Sequence, residues 1–265
     1  GEGGMGKVYK AEQVPLGVDV VIKTLHPQLA ADKSVVQRFF REAQSASRLR
    51  HPNCISVLDF GDADGTLYIA MEFLRGKSLA DLAAAQGRFD PPRLVRVIAQ
   101  VLDVLEAAHR MSIVHRDLKP DNIMVEDLAT QRDFVKVLDF GIAKIIDPLK
   151  GGMRLTQTNM VVGTPAYMAP EQATAKDVDA RTDLYAVGVI SFELLTGRLP
   201  FEYSSAAQLL AAHVSDNAPP VKTYRADLPD ALAQLIDSAL KKNPADRPQT
   251  ALELKLRLEA CLATT

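Results

Sequence analysis

The feature that most restricts the fold is a change of hydrophobic period part-way along the chain. Up to Glu72 the apolar residues come in short β-rich runs: Lys7 to Gln13, Val18 to Thr24, Ile55 to Phe60 and Thr66 to Glu72. Pro15-Leu16-Gly17 breaks the first pair, and Asp64-Gly65 between the last two is a hairpin signal. One helix interrupts them, Ser34 to Arg50, with Phe39, Ala43 and Ala46 on its apolar stripe. From Pro91 the spacing becomes helical, over Pro92 to Arg110, Arg181 to Thr196, Leu228 to Lys241 and Thr250 to Leu262. The chain therefore reads as α+β and bilobal. A small antiparallel-sheet lobe with one main helix (1–73) joins a larger, mostly helical lobe (74–265) near Phe73 to Gly76.

Composition narrows the partners. The 265 residues are 47% hydrophobic and 24% charged, which is ordinary globular usage and excludes disorder. A formal charge of -2 gives no basic field, so nucleic acid is not expected as a partner. No apolar run reaches the roughly 18–20 residues that a membrane helix needs. Leu184 to Leu195, interrupted by Ser191 and Glu193, reads instead as a buried core helix, so no membrane contact by this domain is expected. Cys54 and Cys261 read as reduced thiols of a cytoplasmic domain. The chain opens on Gly1 without methionine and reads as a segment of a longer polypeptide, which could itself be membrane-anchored.

Gly1-Glu2-Gly3-Gly4-Met5-Gly6-Lys7-Val8 forms G-x-G-x-x-G-x-V, whose glycines let a backbone approach a phosphate. A dinucleotide fold needs a strand before such a loop and a helix after it. Here a strand follows. Lys23 ends the strand Val20-Val21-Ile22, and Glu42 sits on the helix stripe between Phe39 and Ala46. A carboxylate facing a core needs a cation, and Lys23 is the nearest sensible one.

His115-Arg116-Asp117-Leu118-Lys119-Pro120-Asp121-Asn122 is far more specific. Ile113 and Val114 precede it and Ile123 to Val125 follow, so a polar octet is held as a loop between apolar anchors. Asp139-Phe140-Gly141 comes 22 residues after Asp117, behind the strand Val135 to Leu138.

Together these stretches resemble a protein kinase catalytic domain of the bacterial serine/threonine type, from the glycine loop to the last helix. Gly163-Thr164-Pro165, Ala169-Pro170-Glu171, Asp183 and Arg247 match as well. The resemblance implies ATP as phosphate donor, magnesium, and serine or threonine hydroxyls of proteins as acceptors. Gly1, Gly3, Gly6 and Val8 would cover the nucleotide, and Lys23, held by Glu42, would contact its α- and β-phosphates. Met71 resembles the gatekeeper, Glu72 and Leu74 offer backbone to adenine, and Val21 and Met124 wall the same pocket. Asp117 resembles the base, Lys119 steadies the γ-phosphate, and Asn122 and Asp139 hold the metal. Thr164 would engage Asp117 and Lys119. Asp183 would brace the catalytic loop, and Glu171 would pair with Arg247. Thr156 and Thr158 would accept autophosphorylation, docking on Arg116. Back-to-back homodimers of the small lobe occur among bacterial relatives.

Two departures stand out. Val21 replaces the usual alanine, which Met124 is flexible enough to accommodate. The strand that leads into the glycine loop is expected to be missing. Two rival functions remain open: a nucleotide-binding pseudokinase scaffold, and a small-molecule kinase of similar fold. The complete set Lys23, Asp117, Asn122 and Asp139 argues against the first, and the segment Gly163 to Glu171 argues against the second.

Overall fold

The computed structural model describes residues 2–3, 6–14, 16–30, 33–140 and 165–263. Several α2 side chains, that of Glu42 among them, lie outside the described set. The first lobe is a five-stranded antiparallel sheet of β1 (Glu2–Gly3), β2 (Gly6–Gln13), β3 (Val18–Leu25), β4 (Val57–Ala63) and β5 (Thr66–Glu72), in the order β1-β2-β3-β5-β4. Residues 2–3, within the glycine loop itself, form a short strand on β2, pairing Glu2 with Lys7 and Gly3 with Gly6. Asp64 and Gly65 have φ of 52° and 81°, the two positive values that a tight hairpin turn between β4 and β5 requires.

Two helices, α1 (Pro27–Ala30) and α2 (Lys33–Arg48), follow β3. Leu25, Val35, Ala43, Leu67, Ile69 and Met71 make the small core between α2 and the sheet. Side chains on a strand alternate, and residues opposite one another across an antiparallel pair share a face. The register pairs Val8 with Lys23, Val21 with Met71 and Lys23 with Ile69. Val8, Val21, Lys23 and Met71 therefore occupy the face that also carries the core.

The second lobe is helical as expected, built from α3 (Leu79–Gln86), α4 (Pro91–Arg110), α5 (Pro170–Ala173), α6 (Ala180–Thr196), α7 (Ala206–Ser215), α8 (Asp230–Ala239) and α9 (Ala251–Ala263). Asp90 caps α4, its carboxylate accepting from the Arg93 amide at 2.7 Å, with proline in the first turn. Asp179 caps α6, which ends on Gly197 at φ 73°. Fourteen of the 17 residues of α6 are buried, so this helix is apolar on every side because it is the axis of the lobe. A Cβ on Gly188 would stand 2.9 Å from that of Ala239, so glycine lets α6 and α8 meet closely.

A three-stranded sheet of β6 (Lys77–Ser78), β7 (Ile123–Glu126) and β8 (Phe134–Val137) lies where the lobes join. The loop after α2 docks on it: Val137 N donates to Asn53 O at 2.8 Å and Ile55 N to Val137 O at 3.0 Å. This anchoring fixes where β8, and the residues that follow it, stand relative to the first lobe. No helix among the described residues is long and apolar enough to cross a membrane.

Candidate active site

The polar octet is a loop threaded between α4 and β7, suspended from one carboxylate. Asp183, in the first turn of α6 and 1% exposed, accepts from His115 N (Oδ2, 2.9 Å), Arg116 N (Oδ1, 2.9 Å) and His109 Nε2 (Oδ2, 2.8 Å). An ionised carboxylate only accepts, so His109 carries its proton on Nε2. The bracing expected of Asp183 is what the geometry displays. His115 Nδ1 accepts from Asp117 N at 3.3 Å, and its Nε2 donates to Leu138 O at 2.8 Å. The buried Phe140 ring meets the His115 ring edge-on, with centroids 4.7 Å apart. Imidazole thus locks the loop onto the segment that carries Asp139.

Around Asp117 the described groups converge. Asn122 Nδ2 donates to the Asp117 carbonyl at 2.8 Å and reaches its Oδ2 at 3.3 Å. Lys119 Nζ lies 3.6 Å from the same carboxylate oxygen. Leu138 N donates to Asn122 O at 2.8 Å, which sets Asp139 beside Asn122. Asp139 has φ 57°, a strained backbone that aims its carboxylate at the first lobe, where Lys23 Nζ meets Oδ2 at 2.8 Å.

Lys23 is therefore ion-paired with Asp139. The pairing expected with Glu42 involves a side chain outside the described residues, as do Gly1, Thr156, Thr158 and Thr164. Gly3 and Gly6 face each other across the turn from β1 to β2. A Cβ on Gly6 would overlap the Thr24 carbonyl, so close strand approach already demands glycine there.

Of the expected pocket residues, Val21 is half-buried against the small core opposite Met71, which is 6% exposed. Val8 is 38% exposed on β2, and Leu74 is half-buried in the connection between lobes. Met124 is half-buried on β7, opposite Lys136. Glu72 turns its side chain away from that face. Its Oε1 accepts from Lys136 Nζ at 2.7 Å and from Ser56 N at 2.7 Å, and Lys136 also donates to Cys54 O. Burial pushes the Cys54 thiol up to about 12 against the pull of Lys136, so it is no nucleophile.

Behind the loop, Arg247 NH1 and NH2 each meet the Glu171 carboxylate at 2.8 Å, the expected pair, with side chains 0% and 5% exposed. Burial alone would raise the Glu171 carboxyl. The two Arg247 bonds outweigh it and hold the group below the usual carboxylate range.

Three contacts escaped sequence reasoning: Lys136 behind the connection, His109 under Asp183, and Gln172. Gln172 Nε2 donates to Arg116 O at 2.7 Å while its Oε1 accepts from Ala169 N at 3.0 Å. Its one signal was the helix-start pattern A-P-E-Q.

A strand-rich lobe over a helical one, with such a loop at their junction, defines a phosphotransferase architecture of the protein kinase type. The protein kinase domain family matches residues 1–256, and the chain belongs to it. Within that family it is similar to bacterial members. It is 51% identical over 263 residues to serine/threonine-protein kinase pkn3 of Myxococcus xanthus, covering 98% of this chain and 48% of that protein. It is 38% identical over 255 residues to serine/threonine-protein kinase PrkC of Bacillus subtilis, covering 96% and 38%. The chain spans less than half the length of these relatives. The PknI kinase domain of Mycobacterium tuberculosis superposes with a TM-score of 0.75 at 28% identity, over 99% of this chain and 93% of that one.

Proposed function

We propose that this domain transfers the γ-phosphate of ATP, with magnesium, to serine and threonine hydroxyls of proteins. The observation that carries the reading is the single hydrogen-bonded loop that gathers Asp117, Lys119 and Asn122 beside Asp139. Asp117 is half-buried and held on both sides, so its carboxylate can take the proton of an acceptor hydroxyl. Lys119, on the same oxygen, offsets the charge that gathers as an anionic phosphoryl group nears it.

Asn122 commits its amide nitrogen to Asp117 and so has its carbonyl oxygen for a metal; Asp139 adds a carboxylate. Among the described residues no group of three or more His, Cys, Asp or Glu could hold a metal alone. Two hard oxygens suit a cation whose remaining ligands are water and phosphate oxygens, as with magnesium. Bound there, it would neutralise phosphate charge. In the described state Lys23 and Asp139 neutralise each other, which keeps both charges ordered in the cleft.

Thr156 and Thr158 are the proposed autophosphorylation sites, with Arg116 as the docking cation. Mass spectrometry of the ATP-treated protein checks this. Phosphate should appear on one or both, and the Thr156→Ala, Thr158→Ala double variant should lose activity.

Labelled ATP with a generic protein acceptor tests the main reading. Asp117→Asn should lower transfer by about 10²–10⁴-fold with nucleotide affinity nearly unchanged. Near-normal turnover in that variant, or transfer only to small-molecule hydroxyls, would reject it.

A further inference from the structure

Gln172 stands in the first turn of α5, where a glutamine or a glutamate often caps a helix by reaching back to the amide of the residue before it. Capping explains one of its bonds, Oε1 to Ala169 N. It does not explain the other, in which Nε2 donates to Arg116 O, 56 residues away in sequence. Capping needs only an acceptor, which either residue supplies. The second bond needs a donor, which an ionised glutamate lacks. The two partners also fix the amide orientation, because a carbonyl takes only the nitrogen end and an N–H takes only the oxygen end.

The Arg116 carbonyl is no ordinary acceptor. Arg116 has φ 68°, a left-handed turn that swings the peptide joining it to Asp117 out of line with its neighbours. Its own amide is held by Asp183 Oδ1 at 2.9 Å. Its carbonyl is held by Gln172. The arginine is thus clamped from α6 on one side and α5 on the other, and the second clamp lies on the very peptide that carries Asp117.

We infer that Gln172 is a positioning residue for phosphoryl transfer: it ties the segment leading into α5 to the catalytic loop and sets the Asp117 carboxylate through the Arg116 carbonyl. This rests on Asp117 acting as proposed above. The side chain of Gln172 bonds Ala169 N and Arg116 O, neither of which belongs to the expected nucleotide or metal residues, so its loss falls on turnover rather than on nucleotide binding.

The test uses the intact protein with Gln172→Glu and Gln172→Met. Glutamate keeps the bond to Ala169 N but, when ionised, sets a carboxylate against the Arg116 carbonyl. Methionine has similar length and makes neither bond. Near about pH 8, both should lose about ten- to a hundredfold in kcat, with the Kd for ATP within about twofold of the parent. Lowering the pH toward about 6 should narrow the deficit of Gln172→Glu alone, because a protonated glutamate, favoured beside a carbonyl, regains an O–H donor. Amide hydrogen exchange over 113–122, read on the same samples, should speed up in both variants.

Parental kcat in Gln172→Glu at every pH overturns the proposal. So does a fall in turnover matched by an equal fall in ATP binding, which marks general damage. Exchange does not depend on phosphate transfer: faster exchange in the variants of a parent that itself transfers nothing would place the failure in the proposed function and keep the clamp. Unchanged exchange in both variants would remove it.

Discussion

Arg116 holds a backbone angle that costs a non-glycine residue about 1–2 kcal/mol, and the Asp183 and Gln172 bonds on either side keep it there. Asparagine tolerates that angle better, so Arg116→Asn should leave the melting temperature level or slightly raised while abolishing the activation proposed to follow autophosphorylation. Melting curves paired with activity before and after ATP treatment check this; activation that survives would detach the arginine from the phosphothreonines. Val21 packs against the small core. Val21→Ala should change ATP affinity by less than about tenfold, or ~1.4 kcal/mol, in a binding titration. At this scale the sequence was most legible where side chains act through fixed local spacing, as in the octet from His115 to Asn122. Lys23 shows the limit. Its place at the end of a strand followed from the β-rich run before it, but its partner depends on how β3 faces Asp139 across the cleft, which no local pattern encodes.

Among elements, the long helices α4 and α6 were readable, α4 from an apolar stripe at helical spacing and α6 from a nearly continuous apolar run. The helices α3 and α7 were not. In α3 only Leu79 is buried, and α7 buries just Leu209, Ala212 and His213, so neither carries a stripe that stands out from alanine-rich background. The fourth strand begins at Val57 rather than Ile55, because Ile55 and Ser56 spend their amides on Val137 and Glu72. The tie between α5 and the stretch before α9 is the buried Glu171–Arg247 pair. Arg247→Met leaves Glu171 buried without its cation and should cost about 3–5 kcal/mol in urea unfolding. A loss under about 1 kcal/mol would mean that the carboxylate finds water or another partner.

For the whole molecule, acid is the informative stress. His213 is 0% exposed, its Nδ1 against the Tyr185 hydroxyl, and burial, aided by Lys242, holds it down to about 4. The unfolded chain binds a proton near 6.5 that the native protein refuses. The stability that His213 leaves intact above about 6.5 is therefore lost as the pH falls toward 4, by at most about 3 kcal/mol. Urea midpoints against pH should slope through that window for the parent and flatten there for His213→Gln; equal slopes would assign the loss to other groups. A different consequence follows from Lys136, whose ammonium joins Glu72 to the Cys54 carbonyl at the rear of the cleft. Ser56, on the same glutamate, completes a rivet through three stretches of chain. A plate fixed at one rear point turns like a jaw: its far rim travels furthest while the rivet scarcely moves. The end of the sheet where Gly6 on β2 pairs with Leu25 on β3, far from that rivet, then sweeps the widest arc for the least distortion of covalent structure.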